Sequence, residues 1–166
     1  ILGALYFINN IDDKDLVARS RRSLIGNSVL FLVFFLSFVI RTLLADGYAV
    51  NPETGEVFME PYKYLTNFIE MPLVLVLFLI GVVLVLFGIG KSLLKTKFDK
   101  GIWFTGIGTV LAVLALLLVA GYNNTAYYPS TNDLQSSLTL ANSCSSQFTL
   151  RVMFYVSFLV PFVLAY

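Results

Sequence analysis

Four long apolar runs dominate this chain, and they decide what it can fold into. The first extends from about Leu24 to Leu44, with Arg41 its only charge. The second covers about Phe68 to Gly90, with Glu70 near its start. The third, about Ile102 to Gly121, carries no charge. The fourth opens near Phe148 and is still apolar at Tyr166, with Arg151 in its first turn. At 1.5 Å per residue, about 20 residues of helix cross a hydrocarbon core of about 30 Å. Composition agrees: 58% of the 166 residues are hydrophobic and 13% are charged. Soluble domains carry about 25% charged residues, and one small core could not hide this much apolar surface. The expected fold is an all-α integral membrane bundle of four transmembrane helices, A to D, in a single membrane domain. Ile1 to Ile8 reads as the end of a preceding helix, and the chain as a piece of a longer protein. No charged segment and small-residue cleavage site mark the opening stretch as a signal peptide.

Charge placement orients the bundle. Lys14, Arg19, Arg21 and Arg22 precede helix A, and Lys91, Lys95, Lys97 and Lys100 fill the link between B and C. These are eight of the 11 basic residues. The positive-inside rule puts both segments in the cytoplasm. Helices A and C then run outward and B and D inward, which leaves Cys144 outside. The basic segments could also hold anionic lipid, but a topology signal is the favoured reading. The net charge of +1 argues for nothing by itself, and no nucleic-acid partner is expected.

Two outer loops carry their own patterns. Tyr48-Ala49-Val50 and Glu56-Val57-Phe58 flank Asn51-Pro52-Glu53-Thr54-Gly55, two β-prone arms about a Pro/Gly turn. This predicts a small surface hairpin, with a ligand-binding loop as the sharper alternative. The Tyr122 to Gln147 stretch is rich in Ser, Thr and Asn but spaces Tyr127, Tyr128, Leu134, Leu138 and Leu140 among them. It reads as structured, with Ser145 or Ser146 capping helix D. Asn123-Asn124-Thr125 matches a glycosylation acceptor, a weak three-residue signal that a bacterial protein would not use.

Small residues suggest the packing. Gly101, Thr105, Gly108, Ala112 and Ala115 share one face of helix C, and Gly81 and Gly88 share a face of helix B. In lipid, helices associate where small residues let backbones approach, so B and C are expected to pack along these faces. Room for a lipid or quinone tail is the alternative use. Trp103 and Tyr122 bracket helix C as an aromatic belt would.

Chemistry is sparse. The chain has no histidine and a single cysteine, Cys144. It therefore offers no His-ligated haem or copper, no internal disulfide and no multi-Cys metal site. No phosphate-binding glycine motif precedes a helix, so an ATP-driven pump is unsupported. Catalytic, cofactor-binding and metal-binding residues are all expected to be absent. Glu70, just before Pro72, suits the positive start of helix B, with a proton path as the rarer alternative. Arg41 suits the negative end of helix A. Arg151 sits at the wrong end of helix D for its charge, and is expected to meet Glu70, Asp133, a subunit boundary or a lipid headgroup.

Tyr64-Leu65-Thr66-Asn67-Phe68 followed by Met71-Pro72 resembles the start of a late helix in subunit II of the cytochrome bd-type quinol oxidases. Tyr128-Pro129-Ser130, Ser136-Ser137-Leu138-Thr139 and Ser145-Ser146-Gln147-Phe148-Thr149-Leu150 with Met153 resemble that subunit's last outer loop and final helix. Gly3-Ala4-Leu5-Tyr6 and Asp46-Gly47-Tyr48 also fit. The resemblance covers nearly the whole chain as the second half of the subunit. It implies a two-subunit terminal oxidase of the bacterial inner membrane that oxidises quinol and reduces oxygen to water. In that family subunit I holds the b- and d-type haems and the quinol site. Subunit II is a helical scaffold that in some members serves oxygen or proton access or holds a structural quinone. A small transporter or channel bundle, or a purely structural membrane adaptor, are the competing readings. A transporter would be expected to show discontinuous helices or a charge facing a cavity within the membrane.

Overall fold

The computed structural model describes residues 1–94, 100–143 and 146–165. Lys95, Lys97, Cys144, Ser145 and Tyr166 lie outside the described residues.

Among the described residues the chain is all-α apart from two small two-stranded sheets. Helix α1 (Leu2–Asn10) leads into α2 (Lys14–Leu44), a helix of 31 residues. The apolar run starts at Leu24, but the helix starts ten residues earlier. Asp13 is the reason: its carboxylate accepts from the amides of Asp15 at 2.9 Å and Leu16 at 3.0 Å. These are two of the orphan donors that any helix start must satisfy. The basic residues Lys14, Arg19, Arg21 and Arg22 are thus carried on a helix and not on a loop.

The second apolar run is divided. A short helix α3 (Lys63–Glu70) stops at Met71, and α4 (Pro72–Leu94) starts anew. Proline disfavours helix in the residue before it, and Met71 sits at φ −113°, ψ 71°. Pro72 itself fits a first helical position, where no amide is needed. This corrects the expectation that Glu70 lies at the start of the membrane helix. Glu70 is the last residue of α3, and residues 68–70 belong to that separate helix. The membrane helix α4 is itself uninterrupted for 23 residues.

Helix α5 (Gly101–Gly121) returns antiparallel to α4, and the two meet backbone to backbone. A methyl group placed on Gly81 would lie 2.6 Å from the amide nitrogen of Ala112 and 2.8 Å from the carbonyl of Gly108. One placed on Gly88 would lie 2.7 Å from the carbonyl of Gly101. The seam therefore excludes even one extra carbon at Gly81, Gly88 and Gly108, over about three helical turns, and close dispersion contact holds it. Helix α2 joins this pair more loosely, through Phe35, Val39 and Leu43 against a core of Phe68, Phe78, Ala112, Ala115 and Val119. Phe35 and Phe78 stack at 6.4 Å between ring centres, and Phe68 meets Phe78 in a tilted contact at 5.4 Å. At the other end α1 closes the bundle with Leu5 and Ile8 on Leu24, beside Leu93 and Ile102.

A hairpin follows α2. Strand β1 (Gly47–Val50) pairs antiparallel with β2 (Val57–Glu60), with Val50 opposite Val57. Gly55 takes φ +73° in the turn, a conformation that glycine adopts without strain. After α5 the chain forms β3 (Ala126–Tyr128), a 3₁₀ turn (Leu134–Ser136), β4 (Leu138–Thr139) and the short α6 (Leu140–Ser143). The final helix α7 (Gln147–Ala165) is capped by Ser146, whose hydroxyl meets that of Thr149 at 3.0 Å. From Gln147 to Pro161 every residue but Thr149 is exposed. An apolar helix bare on all sides needs lipid or other protein around it.

Among the described residues, α2, α4 and α5 are long and apolar enough to cross a membrane, and α7 is a further apolar helix. The bundle has a hairpin end, with both sheets, and a basic end, with Lys14 to Arg22 and Lys91.

Candidate functional site

The densest polar chemistry lies at the hairpin end, around Asn67. This side chain is completely buried on α3. Its amide nitrogen donates to the Val119 carbonyl at 2.8 Å and to Thr125 Oγ1 at 2.8 Å. Its amide oxygen accepts from Asn123 Nδ2 at 3.0 Å. Asn123 Nδ2 also donates to Glu70. Val119 lies in the last turn of α5, where the helix cannot satisfy its own carbonyls, so one amide side chain supplies the missing donor. Tyr122 N closes on the Leu118 carbonyl at 2.9 Å beside it. Asn123 and Asn124 both take positive φ, 58° and 53°, a conformation that asparagine tolerates better than most residues. That turn aims the Asn124 carbonyl at Val50 N, 2.8 Å away, and so hangs the hairpin on the end of α5.

Two further contacts fix the hairpin. Gln135 Oε1 accepts from Val57 N and its Nε2 donates to Val57 O, both at 3.1 Å. The amide thus mimics a strand partner and covers part of the edge of β2. Lys63, nearly buried, pairs with Glu60 at 3.1 Å. Its stem crosses Gly47 so closely that a methyl there would come within 2.6 Å of Lys63 Cβ. Beside it, burial first and the neighbouring Tyr48 second hold the Tyr64 phenol above its ordinary value of 10.0, so it stays neutral at physiological pH.

Glu70 therefore works as an acceptor that orients Asn123. The structure does not bring it to Arg151. Asp133 is also engaged elsewhere: it accepts from Gln135 N at 3.1 Å and Ser136 Oγ at 3.0 Å. Among the described residues no carboxylate lies within ion-pair distance of Arg151, which is exposed on α7. Arg41 is exposed in the last turn of α2, where a cation suits the helix dipole. Sequence reasoning did not single out Asn67, Asn123, Gln135 or Lys63 as a cluster. The available signal was an asparagine among Leu65, Phe68 and Ile69, and an Asn-Asn pair just past a helix-ending glycine.

A second feature lies between the helices. A cavity of about 540 Å³ opens among α2, α4 and α5, lined by Phe31, Phe35, Val82, Leu86, Val113 and Leu116 among others. Its one polar lining residue is Thr109, whose hydroxyl already donates to the Thr105 carbonyl at 2.7 Å. The cavity accepts an apolar chain but offers no free donor for a polar ring. Gly81 and Gly88 face α5 and not this space, while Ala112 borders both.

Among the described residues no three His, Cys, Asp or Glu side chains gather into a metal site. Among the described residues of this cluster, the amides of Asn67, Asn123 and Gln135 are each committed to hydrogen bonds within the protein. The arrangement is a clamp that locks the hairpin and the following loop onto the ends of α3 and α5.

The fold thus defines a multi-pass, all-α integral membrane protein with a rigid polar cap and with exposed apolar helix faces. The chain belongs to the cytochrome bd terminal oxidase subunit II family, whose model matches residues 1–166. Over 131 residues it is 32% identical to the cytochrome bd-I ubiquinol oxidase subunit 2 of Escherichia coli strain K12. That match covers 78% of this chain and 33% of the relative. The counterparts from two further Escherichia coli strains match equally. The chain spans about a third of the length of these curated relatives.

Proposed function

We propose that this chain is part of the non-haem-ligating subunit of a respiratory terminal oxidase. That enzyme oxidises quinol and reduces oxygen to water, and this chain serves as scaffold for a haem-binding subunit I. The observation that carries the reading is the family match over the whole chain, in a sequence without a histidine. Haem iron takes axial ligands such as His, Met or Cys. Here the methionines lie on three separate elements: Met59 on β2, Met71 at the α3–α4 break and Met153 on exposed α7. These residues do not fit a haem, and we assign them no electron-transfer step. What the chain supplies is a tightly packed α4–α5 pair, a rigid cap and the bare apolar faces of α2 and α7, which suit lipid and a partner subunit.

The competing transporter reading finds no support in α4 or α5. Both are continuous, and neither carries a charge before Lys91 in the last turn of α4. The break at Met71 lies at the hairpin end, outside the long apolar helix.

The test is spectroscopic. Expressed alone and purified in mild detergent, this chain should show no haem bands and no quinol-dependent oxygen uptake. Both should appear when the rest of its subunit and the haem-binding subunit are supplied. Stoichiometric haem on the chain alone would overturn the assignment.

For location, we propose the bacterial cytoplasmic membrane with the basic end inside, because basic residues flank cytoplasmic ends. Glu53, exposed in the hairpin turn, and Lys100, exposed at the start of α5, are suited to a labelling test. On a Cys144→Ser background in spheroplasts, Glu53→Cys should react with an impermeant thiol reagent before lysis and Lys100→Cys only after it. The reverse order would invert the topology.

A further inference from the structure

A pocket of about 450 Å³ opens beyond the end of α5, between the hairpin turn, the turn after α5 and the short α6. Asn51 and Pro52 come from the hairpin, Tyr122 and Asn124 from the turn after α5, and Leu140 and Asn142 from α6. Segments far apart in sequence thus share one concave space, of a size that suits a ligand.

Three carboxamides border this space with hydrogen-bonding capacity unspent. Asn51 Oδ1 accepts from Glu53 N at 3.0 Å, which leaves its NH₂ group without a partner. Asn142 N donates to Thr139 Oγ1 at 3.2 Å, but the Asn142 side chain bonds to no described residue. The Asn124 side chain is likewise without a partner, although its backbone carbonyl holds Val50 N. Both Asn124 and Asn142 are exposed. These amides differ from those of Asn67, Asn123 and Gln135, which the fold itself uses.

The lining selects a class of ligand. None of the described lining residues is charged. A phosphate or carboxylate would lack a cation to pair with, and a divalent metal would lack carboxylates. A purely apolar chain would desolvate the amides without pairing them. A carboxamide carries a donor and an acceptor side by side, which matches the N–H and C=O of a peptide backbone. The same cap already contains that match, since Gln135 holds both backbone groups of Val57 at 3.1 Å. Pro52, Tyr122 and Leu140 supply apolar walls for uncharged side chains.

We propose that this pocket receives a short, uncharged, extended peptide segment of the haem-binding partner subunit, held by the amides of Asn51, Asn124 and Asn142. The identity of the partner rests on the reading of this chain as an oxidase subunit. The site lies beyond the long apolar helices, so it fastens an outer loop of the partner to the cap, separately from any contact between helix faces in the membrane.

The test uses the assembled oxidase in its native membrane. With a photoreactive benzophenone amino acid in place of Asn142, illumination should link this subunit to the haem-binding subunit. Mass spectrometry should place the link in an uncharged segment of that partner. A link to lipid, to sugar or to any other protein, or no link at all, would overturn the proposal. Two substitutions then read the amides themselves. Asn142→Ala removes one, and Asn124→Gly removes another while keeping the φ of 53° without strain. With both carboxamides gone, the subunits should separate about tenfold faster in detergent. Hydrogen exchange at Val50 N should stay as in wild type. Unchanged separation would mean that the amides bind nothing. Faster exchange at Val50 N would mean that they hold the cap and not a partner, and either result defeats the proposal. The haem spectrum of the same membranes reports on the oxidase assignment separately. Haem in the complex without the link defeats the pocket alone, whereas a complex without haem defeats the oxidase reading and with it the partner named here.

Discussion

Gly108→Leu should abolish assembly of the membrane bundle, while Gly106→Leu, two residues away on the same helix, should leave it intact. A methyl on Gly108 would meet the carbonyl of Gly81 at 2.6 Å, the amide nitrogen of Val85 at 2.8 Å and Leu84 Cβ at 2.9 Å. Two of those three are backbone atoms, which no rotamer change can move. Leucine adds four carbons where one does not fit, so α4 and α5 must separate. Overpacking usually costs about 1–3 kcal/mol, and a rigid backbone neighbour puts this substitution at or above the upper end. Separation also forfeits the close contacts that replace a hydrophobic drive in lipid. Gly106 has nothing within 4 Å of its added methyl. Both changes gain the same helix propensity on losing glycine, about 1 kcal/mol, so the comparison isolates packing. The measurement is the yield and Tm of detergent-solubilised complex. Equal behaviour of the two variants would mean that the α4–α5 seam is not what holds the bundle.

The contrast shows what spacing alone makes visible. Gly81, Gly88, Gly108 and Ala112 stand out as small residues at helical intervals, but so does Gly106 as a glycine. Which glycine faces a neighbour depends on the rotation of both helices, a property of the pair. The apolar runs made the all-α membrane fold legible, because lipid leaves helices few alternatives. The helix limits were less legible. Apolarity marks where the solvent changes, whereas a helix continues until its caps end it, so α2 reaches back to Asp13 through four basic residues. The break before Pro72 was written in the proline itself, yet the apolar residues on both sides of Glu70 and Pro72 masked the change from α3 to α4. The hairpin was legible because its Pro/Gly turn is a local signal. The Asn67 cluster was not, since its bonds join residues more than 50 positions apart.

Asn67→Leu should therefore loosen the whole hairpin end without touching the α4–α5 seam. The leucine is close in size, so the lesion is polar: the Val119 carbonyl loses its donor in a buried place. Thr125 keeps its bond to the Asn123 carbonyl at 3.3 Å, and Asn123 keeps Glu70. One fully orphaned carbonyl and two weakened partners cost about 3 kcal/mol, at about 1–3 kcal/mol for each unsatisfied buried group. Because 1.4 kcal/mol is a factor of ten, opening of the cap should become about a hundredfold more frequent. Hydrogen exchange reads this directly. Val50 N, bonded to the Asn124 carbonyl, and the amides of β1 and β2 should exchange about a hundredfold faster, while those of α4 and α5 near Gly81 and Gly108 should not change. Asn67→Asp sharpens the test. Its carboxylate would face the Val119 carbonyl with two acceptors and no donor, so at neutral pH it should be worse than leucine. Burial and the nearby Glu70 raise the pKa of such a carboxyl in the folded state, so its neutral form is the one that fits. Stability of the variant is then recovered below the unfolded aspartate value of about 3.9 and lost as pH rises through the higher folded value. Cap protection in Asn67→Asp that equals wild type at neutral pH would show that the Val119 carbonyl needs no donor, and that the clamp is not what fixes the hairpin to α5.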